Sequence, residues 1–246
     1  MEGSGLLAVL ALALLPSIGN LLGVGLAEWR KPPEWLVGGA LHAAAGIATA
    51  VAAIELIPRA QDRIDTWILA GAILMGAVGS ACIAKGTRSI RRRMSNTAGR
   101  ATTWGAYAAV GVDLVTDGLM TGGGGAVAAE LGLLLALSQV IGNLPGGFAI
   151  AANFRSANIG RARRWKALAI YPFLPVLGAF VGYMVLADAG PVLTGFVLAA
   201  FAGLLLTATI EDIVPEADQP HARRRISSTA FAMGFGALLL SSAYLA

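Results

Sequence analysis

Charged residues are scarce in this sequence. Asp, Glu, Lys and Arg make up 13% of its 246 residues, whereas hydrophobic residues make up 57%. An average soluble domain carries about 25% charged residues. The chain therefore has too few charges to cover a surface that faces water, which excludes a soluble globular domain. We expect an all-α integral membrane protein with the lipid bilayer as its solvent.

Cysteine is also scarce. The single Cys82 excludes an internal disulfide and a cysteine-rich metal site. The sequence has no catalytic triad, phosphate-binding loop or cofactor motif, so neither an enzyme nor a bound cofactor is expected. The N-terminus, Met-Glu-Gly-Ser-Gly, lacks the positive region of a signal peptide. We therefore interpret the first apolar segment as a retained helix.

Long apolar runs are abundant. A membrane-spanning helix needs about 20 mostly apolar residues, and eight segments meet this length, numbered one to eight below. A glycine-rich turn, Gly122–Gly125, is predicted to separate segments four and five. We interpret residues 1–246 as one transmembrane domain with a basic loop at 85–102. The segments are Leu6–Ala27, Leu36–Ile57, Trp67–Ala84, Thr103–Gly124, Ala128–Phe154, Ala167–Leu186, Val192–Ile213 and Ile226–Leu245.

The basic residues predict the orientation. Of the 18 Lys and Arg, all but Arg59 and Arg63 fall in alternate loops. The positive-inside rule places these loops in the cytoplasm and both termini outside, in a cytoplasmic membrane of bacterial type. Contact with anionic lipid explains the net charge of +4 without a nucleic-acid partner. The sixteen are Arg30, Lys31, Lys85, Arg88, Arg91, Arg92, Arg93, Arg100, Arg155, Arg161, Arg163, Arg164, Lys166, Arg223, Arg224 and Arg225.

Segments two and seven share a short pattern. Ala45-Gly46 followed by Glu55-Leu-Ile-Pro58-Arg-Ala60 aligns without a gap with Ala202-Gly203 followed by Asp212-Ile-Val-Pro215-Glu-Ala217, at an offset of 157 residues. In the predicted topology these segments run in opposite directions. The pattern predicts an inverted repeat, which is typical of secondary transporters. Chance similarity between two apolar helices is the alternative.

Two carboxylates lie inside segment four. Asp113 and Asp117 are four residues apart, so they share one helix face. A carboxylate at the bilayer centre costs about 3 kcal/mol on insertion scales, and such residues normally face a cavity or a partner. No Lys or Arg lies inside a span to pair with them, so bound cations or protons are the expected compensation. The alternative is a protonated pair with a packing role only.

Segment five carries Gln139 and Asn143 on one face, followed by Pro145, Gly146 and Gly147. Proline removes a helical hydrogen bond, so these three residues are predicted to break the helix and to free carbonyl groups near Ile141 and Gly142. Cavity-lining carbonyls can bind cations. Gln139 and Asn143 could supply neutral oxygen ligands, or they could equally join helices by hydrogen bonds.

Other ionisable residues lie near the ends of the segments. Charge is tolerated near the membrane interface, so a role in an ion relay or entrance is an open alternative to simple exposure. A lone histidine inside a segment is more often a hydrogen-bonded packing residue than a ligand, and His221 is interpreted as a solvated loop residue. The candidates for a relay or entrance are His42, Glu55, Glu211, Asp212 and Glu216.

These motifs resemble those of the Zrt/Irt-like (ZIP) metal transporter family. Asp113-Leu-Val-Thr-Asp117-Gly118 is similar to the family motif of helix four, and Gly142-Asn143-Leu-Pro145-Gly146-Gly147 is similar to that of helix five. Pro215-Glu216-Ala217 is similar to a Pro-Glu-Ala signature. The resemblance covers essentially the whole chain. It implies eight helices, external termini, alternating access and a scaffold that often forms homodimers.

The chain departs from the family at several ligands. Asp113 and Gly142 stand where the family has histidines, and Gly146 stands where it has a glutamate. Asp117 and Asn143 keep ligands of the family type. Zinc usually takes nitrogen and sulfur ligands, whereas an all-oxygen site favours manganese, magnesium or another hard cation.

The sequence therefore predicts a gradient-driven carrier of a divalent cation, of the zinc, manganese or iron type, towards the cytoplasm. The expected metal ligands are Asp113, Asp117 and Asn143, with Gln139 as a fourth. The alternatives are a proton-coupled or non-metal carrier on the same scaffold and a membrane scaffold or regulator that does not transport. An intramembrane enzyme is a more distant alternative.

Overall fold

The computed structural model describes residues 2–29, 33–95, 100–218 and 224–245. Regular structure in these ranges is entirely helical. Two π-helical stretches, Val51–Leu56 and Thr209–Ile213, interrupt the α-helices. The α-helices are α1 (Glu2–Leu12), α2 (Leu15–Trp29), α3 (Glu34–Ala50), α4 (Ile57–Gln61), α5 (Thr66–Ser95), α6 (Arg100–Val127), α7 (Ala129–Ser156), α8 (Arg161–Leu168), α9 (Phe173–Leu186), α10 (Pro191–Ala208), α11 (Val214–Ala217) and α12 (Arg224–Leu245).

Seven helical stretches in the described ranges are long and apolar enough to cross a membrane, and they coincide with seven of the eight predicted segments. The predicted segment four is α6, a helix of 28 residues. Its two aspartates and its glycines lower its apolar character, which explains why it is not one of the seven. The seven stretches are Gly5–Trp29, Trp35–Gln61, Thr66–Ser89, Ala129–Ser156, Arg161–Leu186, Pro191–Ala217 and Ile226–Tyr244.

The predicted turn at Gly122–Gly125 is wrong. Helix α6 continues through all four glycines to Val127, and the chain leaves the helix at Ala128, whose backbone is extended. Tertiary packing overrides the low helix propensity of glycine here. A Cβ atom at Gly122 would lie 2.0 Å from the carbonyl oxygen of Ala179, and one at Gly125 would lie 2.6 Å from the side chain of Val9. These glycines therefore allow neighbouring helices to pack closely against α6.

The predicted basic loop at 85–102 is mostly helical. Helix α5 extends to Ser95 and α6 begins at Arg100. Arginine is a good helix former and the stretch contains no proline, so nothing in it ends the helix early. Four residues on which sequence predictions rest lie outside the described residues: Arg30, Lys31, His221 and Arg223.

The two π-helical stretches occupy equivalent places in the repeated pattern. They end at Leu56 and Ile213, which are 157 residues apart, and each is followed by a short helix with a proline in its first turn, Pro58 or Pro215. Proline has no N–H group and its ring clashes with the carbonyl four residues earlier. A wider π-helical turn before each proline relieves that clash.

The long helices pack in pairs: α2 with α7, α3 with α12, α5 with α10 and α6 with α9. Glycines set the spacing between paired helices, as is common in membranes. A Cβ atom at Gly46 of α3 would lie 2.0 Å from the carbonyl oxygen of Phe231. One at Gly203 of α10 would lie 2.0 Å from that of Ile73. Gly46 and Gly203 are 157 residues apart, the offset of the shared sequence pattern, and both are points of close helix packing.

A second pair of helices packs in a matching way. Helices α2 and α9 both contain the sequence Leu-Pro-x-x-Gly-x-x-x-Gly, which starts at Leu15 and at Leu174. A Cβ atom at Gly19 or Gly23 would come within 2.2 Å of a backbone carbonyl oxygen of α7. One at Gly178 or Gly182 would come equally close to a carbonyl oxygen of α6. The α2–α7 pair and the α9–α6 pair are thus both packed through glycines at matching positions of the shared sequence.

Candidate cation site

A cavity of about 220 Å³ lies among α3, α6, α7 and α10, close to the π-helical stretch Thr209–Ile213 and α11. All four residues predicted as metal ligands line it. Apolar residues of α3 and α10 form the opposite wall, including Leu41, Ala44 and Leu205. The helices thus bring together residues that are up to 175 positions apart in the sequence.

The lining of this cavity is acidic. Asp113 and Asp117 of α6 share it with Asp212 and Glu216, and no Lys or Arg is present among the described residues that line it. Asp212 and Glu216 are close enough to Asp113 for their charges to interact. Glu216 also interacts with another group, so it is not a free side chain. Because like charges repel one another, this arrangement favours a positively charged occupant.

Asp117 and Asn143 form the centre of the site. Both side chains are buried. The Asn143 amide nitrogen Nδ2 donates a hydrogen bond to Asp117 Oδ2 at 2.6 Å and another to the carbonyl oxygen of Gln139 at 2.9 Å. The first of these bonds joins α6 to α7 and stabilises the negative charge of Asp117. Asn143 Oδ1 takes no part in either bond.

Gln139 joins the same two helices. Its Oε1 accepts a hydrogen bond from the Thr121 hydroxyl at 2.8 Å, and its Nε2 donates to the carbonyl oxygen of Asp117 at 3.1 Å. The sequence left open whether Gln139 is a ligand or an interhelical packing residue. Its two bonds favour the packing role.

Replacing Thr121 with valine tests this packing role. Thr121 is fully buried, so the change leaves Gln139 Oε1 without its donor. An unpaired buried polar atom costs about 1–3 kcal/mol, and we expect the midpoint of unfolding in detergent to fall accordingly. Ser241→Ala is the control, because that hydroxyl is exposed and bonds only within its own helix. Equal stability of the Thr121 variant and the wild type would exclude the packing role.

The predicted break at Pro145, Gly146 and Gly147 is wrong. Helix α7 runs without interruption from Ala129 to Ser156. Pro145 still lacks an N–H group, so the carbonyl of Ile141 has no helical donor. Gly147 packs against α2, since a Cβ atom there would lie 2.0 Å from the carbonyl oxygen of Asn20. The close packing of α2 against α7 therefore stabilises the continuous helix around Pro145.

Asn20 is a buried polar residue that the sequence analysis missed. Its Nδ2 donates to the carbonyl oxygen of Asn143 at 3.5 Å, and its Oδ1 is buried without a hydrogen-bond partner. A Cβ atom at Gly146 would lie 3.3 Å from Asn20 Nδ2. The Asn20 amide therefore holds the space into which a side chain at 146 would point. An asparagine inside an otherwise apolar segment was the available signal.

Glu55 is paired outside the cavity. It is buried, and its Oε2 lies 3.0 Å from Arg59 Nη2. The hydroxyl of Ser242 donates to its Oε1. Arg59 also contacts Glu130 at 3.5 Å. The two repeat-related carboxylates therefore differ, because Asp212 lines the cavity and Glu55 does not.

His42 and Glu211 also lie outside the cavity lining. His42 Nδ1 donates to the carbonyl oxygen of Gly38 at 2.8 Å, and its Nε2 lies 3.2 Å from Asp218 Oδ1. This arrangement fits the hydrogen-bonded packing role considered for His42. Glu211 forms a partly exposed ion pair with Arg88 at 3.7 Å. In the part of the chain that the structure describes, three or more His, Cys, Asp or Glu side chains are nowhere grouped as the ligands of one metal ion. A cation in the cavity would therefore take at most two carboxylates at one position, together with neutral oxygen atoms.

The apolar helices and the acidic interior cavity define the class as a helical membrane protein. No family model matches the chain. The zinc transporter ZupT of Corynebacterium aurimucosum is 26% identical over 234 residues, and the match covers 86% of each chain. This similarity confirms the resemblance drawn from the motifs. The chain is similar to this transporter, and it is an integral membrane protein.

Proposed function

We propose that the chain is a secondary transporter that carries a divalent metal cation through the cavity between α6 and α7. The main support is the cavity lining, which combines four carboxylates with no basic residue among the described ones. Carboxylates at membrane depth are costly, and the burial of Asp117 adds to this cost. A bound cation removes that cost, and its release on one side of the membrane restores it.

Asp113 and Asp117 are the primary ligands in this proposal, and Asn143 is the third. The Asn143 amide nitrogen holds Asp117 Oδ2 at 2.6 Å. An arriving cation replaces this hydrogen bond, and rotation of the Asn143 amide then turns Oδ1 towards the ion. The carbonyl of Ile141, which Pro145 leaves without a donor, is a further neutral oxygen on the same helix.

Asp212 and Glu216 are proposed as the relay between this site and the cytoplasm. Both line the same cavity as Asp113. The positive-inside rule supports a cytoplasmic position for the C-terminal end of segment seven, which carries Asp212 and is followed by Glu216, with both termini outside. A cation that leaves Asp113 then passes two further carboxylates, which lowers the electrostatic barrier to release.

Alternating access is proposed to follow from an inverted repeat of eight spans. The matched positions of the π-helical stretches and of Gly46 and Gly203 support the repeat. Helices α6 and α7, which exchange under it, carry the cation site between them. The homodimer that the family resemblance implies belongs to this proposal, but the cation path itself lies within one chain.

The site is proposed to prefer hard cations. The relative's name states zinc, yet the expected ligands here are all oxygen atoms, whereas zinc usually takes nitrogen and sulfur. We expect proteoliposomes that contain the full chain to take up Mn²⁺ faster than Zn²⁺, by roughly tenfold, which corresponds to about 1.4 kcal/mol. The panel is Mn²⁺, Zn²⁺, Fe²⁺, Co²⁺ and Mg²⁺, with empty liposomes as the control.

Each other outcome of this panel favours a named alternative. Faster uptake of Zn²⁺ than of Mn²⁺ would contradict the preference for hard cations but would still support a metal transporter. Proton flux without metal uptake would favour a proton-coupled carrier. A folded protein that moves no ion of the panel would favour the scaffold protein.

A further inference from the structure

An apolar groove of about 390 Å³ lies on the outer surface of the bundle between α6 and α9. Its main lining residues are Ala108, Gly111, Val112, Val115, Ile170 and Leu174. Thr116 also lines the groove, but its hydroxyl donates a hydrogen bond to the carbonyl oxygen of Val112 at 3.0 Å. The large apolar side chains of Phe173 and Leu177, on either side of Leu174 in α9, are exposed. An exposed apolar surface on a membrane-spanning bundle suits contact with the hydrocarbon region of the bilayer.

The groove exists because small residues line α6. Gly111 has no side chain, and a Cβ atom there would lie 3.2 Å from Leu174 Cδ1. Ala108, one turn earlier, adds only a methyl group. A larger residue at either position would fill the groove from its floor. Its width and depth are thus set by the sequence of α6.

One end of the groove lies beside the basic helix α8. Tyr107, at that end, donates from its hydroxyl to the carbonyl oxygen of Ala167 at 2.6 Å. Trp104, one turn before Tyr107, lies 5.9 Å from the guanidinium carbon of Arg163. These contacts place the groove's end within about one helical turn of α8.

Helix α8 presents positive charge at that end. Its sequence is Arg-Ala-Arg-Arg-Trp-Lys-Ala-Leu. Arg164 is held by Glu28 at 2.9 Å, whereas Arg161, Arg163 and Lys166 are exposed. Trp165 is also exposed. Exposed tryptophan with Lys and Arg is typical of the membrane interface, where basic side chains attract anionic headgroups.

We propose that the groove and α8 together form a binding site for one anionic phospholipid. An acyl chain fills the apolar groove, and the headgroup phosphate contacts Arg161, Arg163 and Lys166. The site lies on α6, the helix that also carries Asp113 and Asp117. A bound lipid would therefore hold the cation-site helix against α9. This inference depends on the membrane location and the groove, and it stands whether or not the chain transports metal.

Native mass spectrometry of the purified full chain tests the proposal. The protein is mixed with equal amounts of phosphatidylglycerol and phosphatidylcholine. We expect the wild type to retain one phosphatidylglycerol with at least tenfold preference. Gly111→Leu and Ala108→Leu, which fill the groove, are each expected to reduce that retention at least tenfold. Gly71→Leu is the control, because a Cβ atom at Gly71 would meet nothing within 4 Å.

The headgroup contact is tested separately. The triple variant Arg161→Gln, Arg163→Gln, Lys166→Gln is expected to bind the two lipids equally, whereas Lys85→Gln, an exposed basic residue on α5, keeps the preference. Equal binding of both lipids by the wild type would overturn the proposal. Unchanged lipid retention in both groove variants would also overturn it. The proposal would fail as well if a groove variant kept its bound lipid but no longer formed a dimer, since the groove would then be a subunit interface.

Discussion

Asp117→Asn is expected to abolish metal uptake while leaving the protein folded. The change removes one negative charge from the centre of the acidic cavity but keeps the size of the side chain. It also keeps a carbonyl oxygen that can accept the hydrogen bond from Asn143, which now lies at 2.6 Å from Asp117 Oδ2. A cation in the cavity then loses its principal charged ligand, and charged hydrogen-bonding or coordinating partners in a buried site are worth several kcal/mol.

The measurement is the initial rate of ⁵⁴Mn²⁺ uptake into proteoliposomes, expressed per folded protein. We expect at least a hundredfold reduction, which corresponds to about 2.7 kcal/mol. Asp188→Asn is the matched control, because Asp188 is an exposed aspartate in the turn between α9 and α10. Uptake by the Asp117 variant at the rate of the control, with both proteins folded, would exclude Asp117 as a ligand.

Gly46→Ala and Gly203→Ala are expected to be strongly destabilising, and to similar degrees. In both variants the new Cβ atom would lie 2.0 Å from a backbone carbonyl oxygen of the paired helix. The helices must then separate, and overpacking of this kind costs about 3 kcal/mol or more. Because Gly46 and Gly203 occupy equivalent places in the repeated pattern, one variant should unfold at nearly the same temperature as the other.

Gly71→Ala is the control for these variants. Its Cβ atom meets nothing within 4 Å, and alanine is favoured over glycine in helices by about 1 kcal/mol, so this change should leave stability unchanged or raise it. The readout is the midpoint of thermal unfolding in detergent. Gly46 and Gly203 variants as stable as the Gly71 variant would show that α3–α12 and α5–α10 do not pack as closely as described.

The sequence predicted the fold well where the signal is composition. Apolar length alone located the seven stretches that are fit to span a membrane, and it also located α6, which the carboxylates and glycines make less apolar. It failed where tertiary packing overrides local preference. Gly122–Gly125 and Pro145 have strong local tendencies to end a helix, yet both lie inside continuous helices. Neighbouring helices pack closely against Gly122–Gly125 and against Gly147, two residues after Pro145.

Part of the cavity lining was predicted. Spacing alone put Asp113 and Asp117 on one face, and the cavity does bring them together with Gln139 and Asn143. Spacing could not show that Asp212 lines the same cavity while its repeat partner Glu55 is paired with Arg59. Nor could spacing show that the side-chain oxygen of Gln139 accepts a hydrogen bond from Thr121. These outcomes depend on which helices become neighbours, and that information is not local.

Gly146, which stands where the family resemblance implies a glutamate, now has a structural context. Asn20 of α2 holds the space beside Gly146, with a buried Oδ1 that has no partner. The family resemblance alone suggested only a missing ligand at this position. The structure shows instead that a neutral amide from another helix stands next to the proposed site, which is consistent with a site built from oxygen atoms.

The most direct test of the central claim is a crystal structure of the chain soaked with Mn²⁺, with data collected at the manganese absorption edge. The account predicts an anomalous peak in the cavity between α6 and α7, coordinated by Asp113, Asp117 and the Oδ1 atom of Asn143, whose amide has rotated. A soaked crystal with an intact cavity and no anomalous peak there, or with a peak only at a site that excludes Asp117, would contradict it.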